Sequence, residues 1–196
     1  MKRGVSFLIV SVIYLLAAAV GVGCFLLLPF AFWLNLLIAD VAATVFTFIF
    51  SVIFKNASVY DPYWSVQPIV ITIAYLIAKP TLSAVLPTIA IFIWGVRLTA
   101  NWAYTFHGLA HQDWRYTMLK EKTGKFYPIV NFVGIHLVPT LVVYGCVLPV
   151  AFLFEYAPTF TPLSVPFIAL SLLATLMQGT ADVQMHKRRK RNPPPR

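Results

Sequence analysis

Long apolar stretches separated by short polar clusters run along the whole chain. Six of them, residues 5–28, 30–54, 64–78, 82–103, 129–154 and 162–181, read as membrane-crossing helices. A bilayer core asks for about 20 apolar residues per helix. The third stretch is shorter than that and holds Pro68 in its first turn. The first is too long for a signal-peptide core and lacks a small-residue cleavage site before Pro29, so it is expected to stay in the mature protein. The predicted fold class is all-α, a polytopic transmembrane helix bundle of about six spans. Residues 1–185 read as one transmembrane domain and 186–196 as a basic cytoplasmic tail. The ending Asn192-Pro193-Pro194-Pro195-Arg196 has a loop composition, because consecutive prolines do not continue a helix.

Composition sharpens this picture. The chain has 196 residues, 60% of them hydrophobic and only 11% charged. Its net charge of +9 is concentrated in Lys187, Arg188, Arg189, Lys190, Arg191 and Arg196. Beside a membrane span, such a run is a topology signal and an anionic-lipid contact, so the expected partners are membrane lipids and no nucleic acid. Lys2, Arg3, Lys55, Arg115, Lys120, Lys122, Lys125 and the tail fall on one side of a six-span arrangement, with Lys79 on the other. The expectation is an integral membrane protein with both termini cytoplasmic. Cys24 and Cys146 sit inside spans as ordinary apolar residues. No Gly-rich phosphate loop, Gly-x-Ser-x-Gly elbow or Cys-x-x-Cys pair occurs.

Polar residues inside the apolar stretches carry the candidate chemistry. Asp40, Thr44, Thr47 and Ser51 lie on one face of the second span. A mid-span acid costs roughly 2.5–3.5 kcal/mol on insertion scales, which points to a polar wall lining a cavity. The hydroxyls are expected to bond their own backbone or neighbouring helices. Arg97, Asn101, Tyr104, Gly108, His111 and Arg115 recur at helical spacing, so a helix running past the membrane would show them on one face. Arginine suits bidentate phosphate contact. Trp94, Trp102 and Trp114 read as interfacial anchors. His107 and His111 have a metal-ligand spacing but need a third ligand such as Asp113, and no metal is expected. His136, with Asn131 nearby, reads as a helix–helix contact.

Four elements occur in order: Asn56-Ala57-Ser58-Val59-Tyr60-Asp61-Pro62-Tyr63-Trp64-Ser65-Val66, then Trp94-Gly95-Val96-Arg97-Leu98 with Asn101, then Asp113-Trp114-Arg115-Tyr116, then Ala181-Asp182-Val183-Gln184. Together they resemble the uncharacterised, largely bacterial branch of the steroid 5-alpha-reductase-like membrane proteins. The resemblance implies an all-helical fold used by NADPH-dependent reductases of enone-type lipid or steroid-like substrates. Acidic and phenolic groups there polarise a carbonyl oxygen, and the cofactor enters from the cytosolic side. It implies a hydrophobic small-molecule substrate. It makes Arg97, Asn101, Asp113, Arg115 and Asp182 the candidate NADPH contacts. Asp61 and Tyr104 are the candidate catalytic groups. The family's Arg-His-Pro-Asn-Tyr-x-Gly-Glu signature is not found before Arg196, so the expectation is an incomplete, C-terminally truncated nicotinamide site. The alternative expectation is a non-catalytic membrane module that binds lipid or a protein partner.

Overall fold

The computed structural model describes residues 2–156, 159 and 161–191, and every element among them is helical. The long elements are α1 (Arg3–Leu27), α2 (Phe32–Ile53), α3 (Tyr63–Ala78), α4 (Leu82–Thr105), the short α5 (Trp114–Thr123), α6 (residues 127–156) and α7 (Ser164–Arg191). Each predicted stretch coincides with one of these helices, and 5–28, 30–54 and 162–181 overrun a helix end by one or two residues. Five helical stretches are long and apolar enough to cross a membrane: α1, α2, α4, the continuous α5–α6 run and α7. With 16 residues, α3 reaches about 24 Å, short of a hydrocarbon core of about 30 Å.

One expectation about a helix end needs correction. The predicted face through Arg97, Gly108 and Arg115 is not continuous, because α4 stops at Thr105. Phe106 turns extended, and Gly108 has φ +112°, a conformation that L side chains rarely adopt. The loop that follows has its own backbone partners. Asn56 Nδ2 donates to the carbonyls of Leu109 (2.8 Å) and His111 (3.2 Å), and Asp113 N donates to Ser58 Oγ (3.0 Å). In the basic tail, α7 stays helical through Arg191. Lysine and arginine are good helix formers, and cations are stabilising in a last turn. Residues 192–196, the predicted loop, lie outside the described residues.

The bundle has two distinct ends. At the basic end, Arg3 Nη2 donates to the Ala103 carbonyl (2.7 Å), and the 54–62 and 106–113 loops interlock. At the opposite end, Lys79 Nζ pairs with Glu155 Oε2 at 2.6 Å, joining α3 to α6. Helices α3 and α4 meet at Gly95, where a Cβ would lie 2.6 Å from the Ser65 carbonyl oxygen. Ser65 Oγ and Thr99 Oγ1 share a 2.9 Å hydrogen bond across the same seam. Within α6, Val130–Leu137 is π-helical, and His136 Nδ1 donates to the Asn131 carbonyl at 2.9 Å.

Candidate functional site

A cavity of about 570 Å³ lies between α1 and α3, with α2 as its floor. Small residues on α1 and α2 make the room: Ala17, Ala18 and Gly21 face Ala39 and Ala43. Val70, Ile71 and Ala74 line it from α3. Leu26 and Phe30 stand at its rim and are themselves exposed, so the cavity faces the surface that lipid would cover.

A buried polar group interrupts this mostly apolar wall. Asp40, buried in α2, accepts a hydrogen bond on each carboxylate oxygen: from the Tyr63 hydroxyl at 2.9 Å and from Gln67 Nε2 at 2.6 Å. Tyr63 and Gln67 sit one turn apart on α3, so the helix presents both to the same acid. All three line the cavity. Gln67 Oε1 is buried without a partner. Tyr63 stacks on Tyr60, whose hydroxyl shares a 2.7 Å hydrogen bond with Thr140 Oγ1. Thr140 in turn shares one of 2.8 Å with Thr44. Thr47 and Ser51 donate to their own helix, to the carbonyls of Ala43 and Phe48. Asp40 therefore does line a cavity, while the other hydroxyls of its face bond the backbone or another helix.

The seven residues that the sequence singles out form two separate groups, and none of them lines this cavity. In the first group, Arg97 Nη1 donates to Asp182 Oδ2 at 2.5 Å. One turn further on, Asn101 Oδ1 lies 2.7 Å from His186 Nε2. The Tyr104 ring packs edge-on against the His186 ring. Arg97 Nε and Nη2 are buried without partners. A cleft of about 320 Å³ between α4 and α7 is lined by Asn101, Tyr104, Val183, His186, Lys187 and Lys190.

In the second group, the Tyr116 hydroxyl donates to Asp61 Oδ1. Arg115 Nε and Nη2 donate to both oxygens of Asp113 at 2.9 and 3.1 Å. Asp113 also caps α5 through Arg115 N at 2.9 Å. Burial pushes the Asp61 carboxyl up to about 6, against the Tyr116 hydrogen bond and the Arg115 charge. Burial also acts to raise Asp113, but the Arg115 hydrogen bonds and charge, helped by Arg189, hold it below the usual carboxylate range. Asp61 and Tyr104 thus stand in different groups. Among the described residues no three His, Cys, Asp or Glu side chains gather as a metal would need. His107 and His111 lie in the loop after α4 instead of on a helix.

Sequence reasoning singled out Asp40 but gave Tyr63, Gln67 and Tyr75 no role at the cavity. The four-residue step from Tyr63 to Gln67 was a visible signal. Its meaning depends on α2 lying opposite, and that pairing is a tertiary fact.

Compared with known proteins, residues 47–195 match the model of a family described as a protein of unknown function, DUF1295. No curated protein and no solved structure matches the chain.

Proposed function

The chain belongs to the DUF1295 family, and on that footing we propose that it is a membrane protein that binds an apolar small molecule carrying a carbonyl group. The single observation behind this reading is the Asp40–Tyr63–Gln67 group on the wall of a mostly apolar cavity of about 570 Å³. Ligand sites are commonly apolar clefts of about 300–1,000 Å³ with a few convergent polar groups. An arriving carbonyl oxygen would meet the second N–H of Gln67, the donor left once Tyr63 gives its one O–H proton and Gln67 its first N–H to Asp40. Asp40 is the positioning residue, since it holds the Gln67 amide in place. Donors fixed in an apolar site draw electron density toward the oxygen more strongly than donors in water. This is the substrate half of an enone-type reduction, the chemistry that the resemblance implies.

For NADPH, the donor set fits a phosphate. Arg97 has two buried N–H groups to spare, and Lys187 and Lys190 line the adjoining cleft. Arg97 and Asn101, with Lys187 and Lys190, are the proposed phosphate contacts, and Asp182 orients the guanidinium. A nicotinamide cofactor, when bound, would supply hydride. That cleft lies on the α4 face turned away from α3, because Gly95 and Thr99 face α3 and Arg97 and Asn101 fall about 200° round the helix from them. No hydride step is therefore derived between cleft and cavity. A module that binds its ligand without turning it over is the second reading, and that separation favours it.

The test uses the full chain in lipid nanodiscs with the enone androst-4-en-3-one. Saturable binding that weakens by about tenfold in Gln67→Met, the worth of roughly one hydrogen bond, is the expected result. NADPH oxidation followed at 340 nm separates the readings: turnover favours the reductase, and binding without turnover favours the module. Absence of binding, or equal binding by Gln67→Met, contradicts the proposed site.

A further inference from the structure

The cleft between α4 and α7 has a chemistry of its own, apart from the carbonyl cavity. Asn101 and Tyr104 line it from α4, and Val183, His186, Lys187 and Lys190 line it from α7. The last three stand three, four and seven positions after Val183, so the four form one stripe of the helix. His186 Nε2 bonds Asn101 Oδ1 at 2.7 Å, and Asp182 is paired with Arg97. Among the described residues, neither lysine has an ion-pair partner and no lining residue is acidic. The cleft is therefore an open concavity of about 320 Å³ with two uncompensated positive charges.

Two ammonium groups beside an amide and a phenol suit a phosphate. Lysine meets it as a point charge, and Asn101 Nδ2 and the Tyr104 hydroxyl are neutral donors. A phosphomonoester carries close to two negative charges at neutral pH, one for each lysine. The surroundings decide where such a group comes from. Leu176 and Leu173 lie two and nearly three turns deeper on the Val183 side of α7, and both are exposed. They belong to a helix apolar enough to cross a membrane, so lipid would cover them. A ligand with acyl chains gains from that wall, and a soluble phosphate does not.

We infer that the α4–α7 cleft is a headgroup site for a lipid phosphomonoester, held by Lys187 and Lys190 with Asn101 and Tyr104. This is narrower than the attraction of a basic run to an anionic surface, because it uses two lysines of the run and not their arginine neighbours. It is independent of the carbonyl cavity, none of whose lining residues it uses. A nucleotide phosphate would compete for the same donors.

Native mass spectrometry of the full chain in detergent tests this, with dioleoylphosphatidate and dioleoylphosphatidylcholine as probes that share their acyl chains. The first phosphatidate should bind more tightly than phosphatidylcholine by about tenfold or more. Lys187→Gln with Lys190→Gln should abolish that preference. Arg188→Gln with Arg191→Gln removes the same charge from the same run outside the cleft and should leave most of it. All four side chains are exposed, so both variants keep the fold. Tyr104→Phe should weaken phosphatidate alone, by a few-fold. Equimolar NADPH or inorganic phosphate should displace little of the bound lipid. No preference for phosphatidate, or equal losses in the two double variants, overturns the headgroup site. Full displacement by equimolar NADPH or inorganic phosphate overturns the lipid source and gives the cleft to a soluble phosphate.

Discussion

Asp61 is the acid whose surroundings differ most from water outside the membrane-spanning helices. Burial raises it from 3.8 to about 6, and the Tyr116 hydrogen bond opposes that shift only in part. The folded state therefore favours the protonated acid. Its contribution is fully present below pH 3.8 and is lost as pH rises through about 6. Thermal unfolding of the wild type should lose stability across that window by up to about 3 kcal/mol, at 1.36 kcal/mol per pKa unit. Asp61→Asn, which cannot ionise, should show a flat profile there. A wild type as flat as the variant would mean that Asp61 ionises freely in the fold. This loop was legible in the sequence as a charged and aromatic cluster. Its partner was not, because Tyr116 lies 55 positions away.

At the scale of the element, the sequence revealed helices well and their partners poorly. Apolar length marks a span without reference to any other part of the chain, which is why all six stretches coincide with helices to within two residues at their ends. The break after Thr105 was hidden, since helical spacing continues through residues that the Asn56 and Ser58 side chains draw into a loop. Gly95 shows the same dependence on context. It allows α4 to approach α3, with the Ser65 carbonyl and Ile69 filling the place of a side chain. Gly95→Ala should destabilise the bundle by about 1–3 kcal/mol through overpacking. Gly145→Ala, where a Cβ meets nothing within 4 Å, should be neutral or mildly stabilising. Chemical denaturation of both variants in detergent checks the pair, and equal midpoints would show that the α3–α4 seam yields without cost.

For the whole molecule, the contacts place Arg3, the 54–62 and 106–113 loops and the end of α7 together, with the Lys79–Glu155 pair at the opposite end. The lysine and arginine excess predicts that the former end faces the cytoplasm. Reporter fusions in the 155–161 connection and after Arg196 should read opposite sides of the membrane. The same side for both would contradict the even number of crossings. Helix α7 is held chiefly by its polar edge, Arg97 to Asp182 and Asn101 to His186, and Thr175 is its one buried residue among those described. The cavity lies on the other side of the bundle, among α1, α2 and α3. That division explains why the charged motifs were prominent in the sequence and the cavity was not. Charge is conspicuous in an apolar chain, whereas a cavity arises from small residues on three helices that only folding brings together.

The central claim is that the Gln67 amide, set by Asp40, polarises a bound carbonyl oxygen. The carbonyl stretch of androst-4-en-3-one labelled with carbon-13 at its ketone reports this directly. Infrared difference spectra of the nanodisc complex should show that band at lower frequency than for the enone in lipid alone. In Gln67→Met it should move most of the way back. A bound enone whose carbonyl band matches that in lipid, with or without the Gln67 amide, would contradict the account.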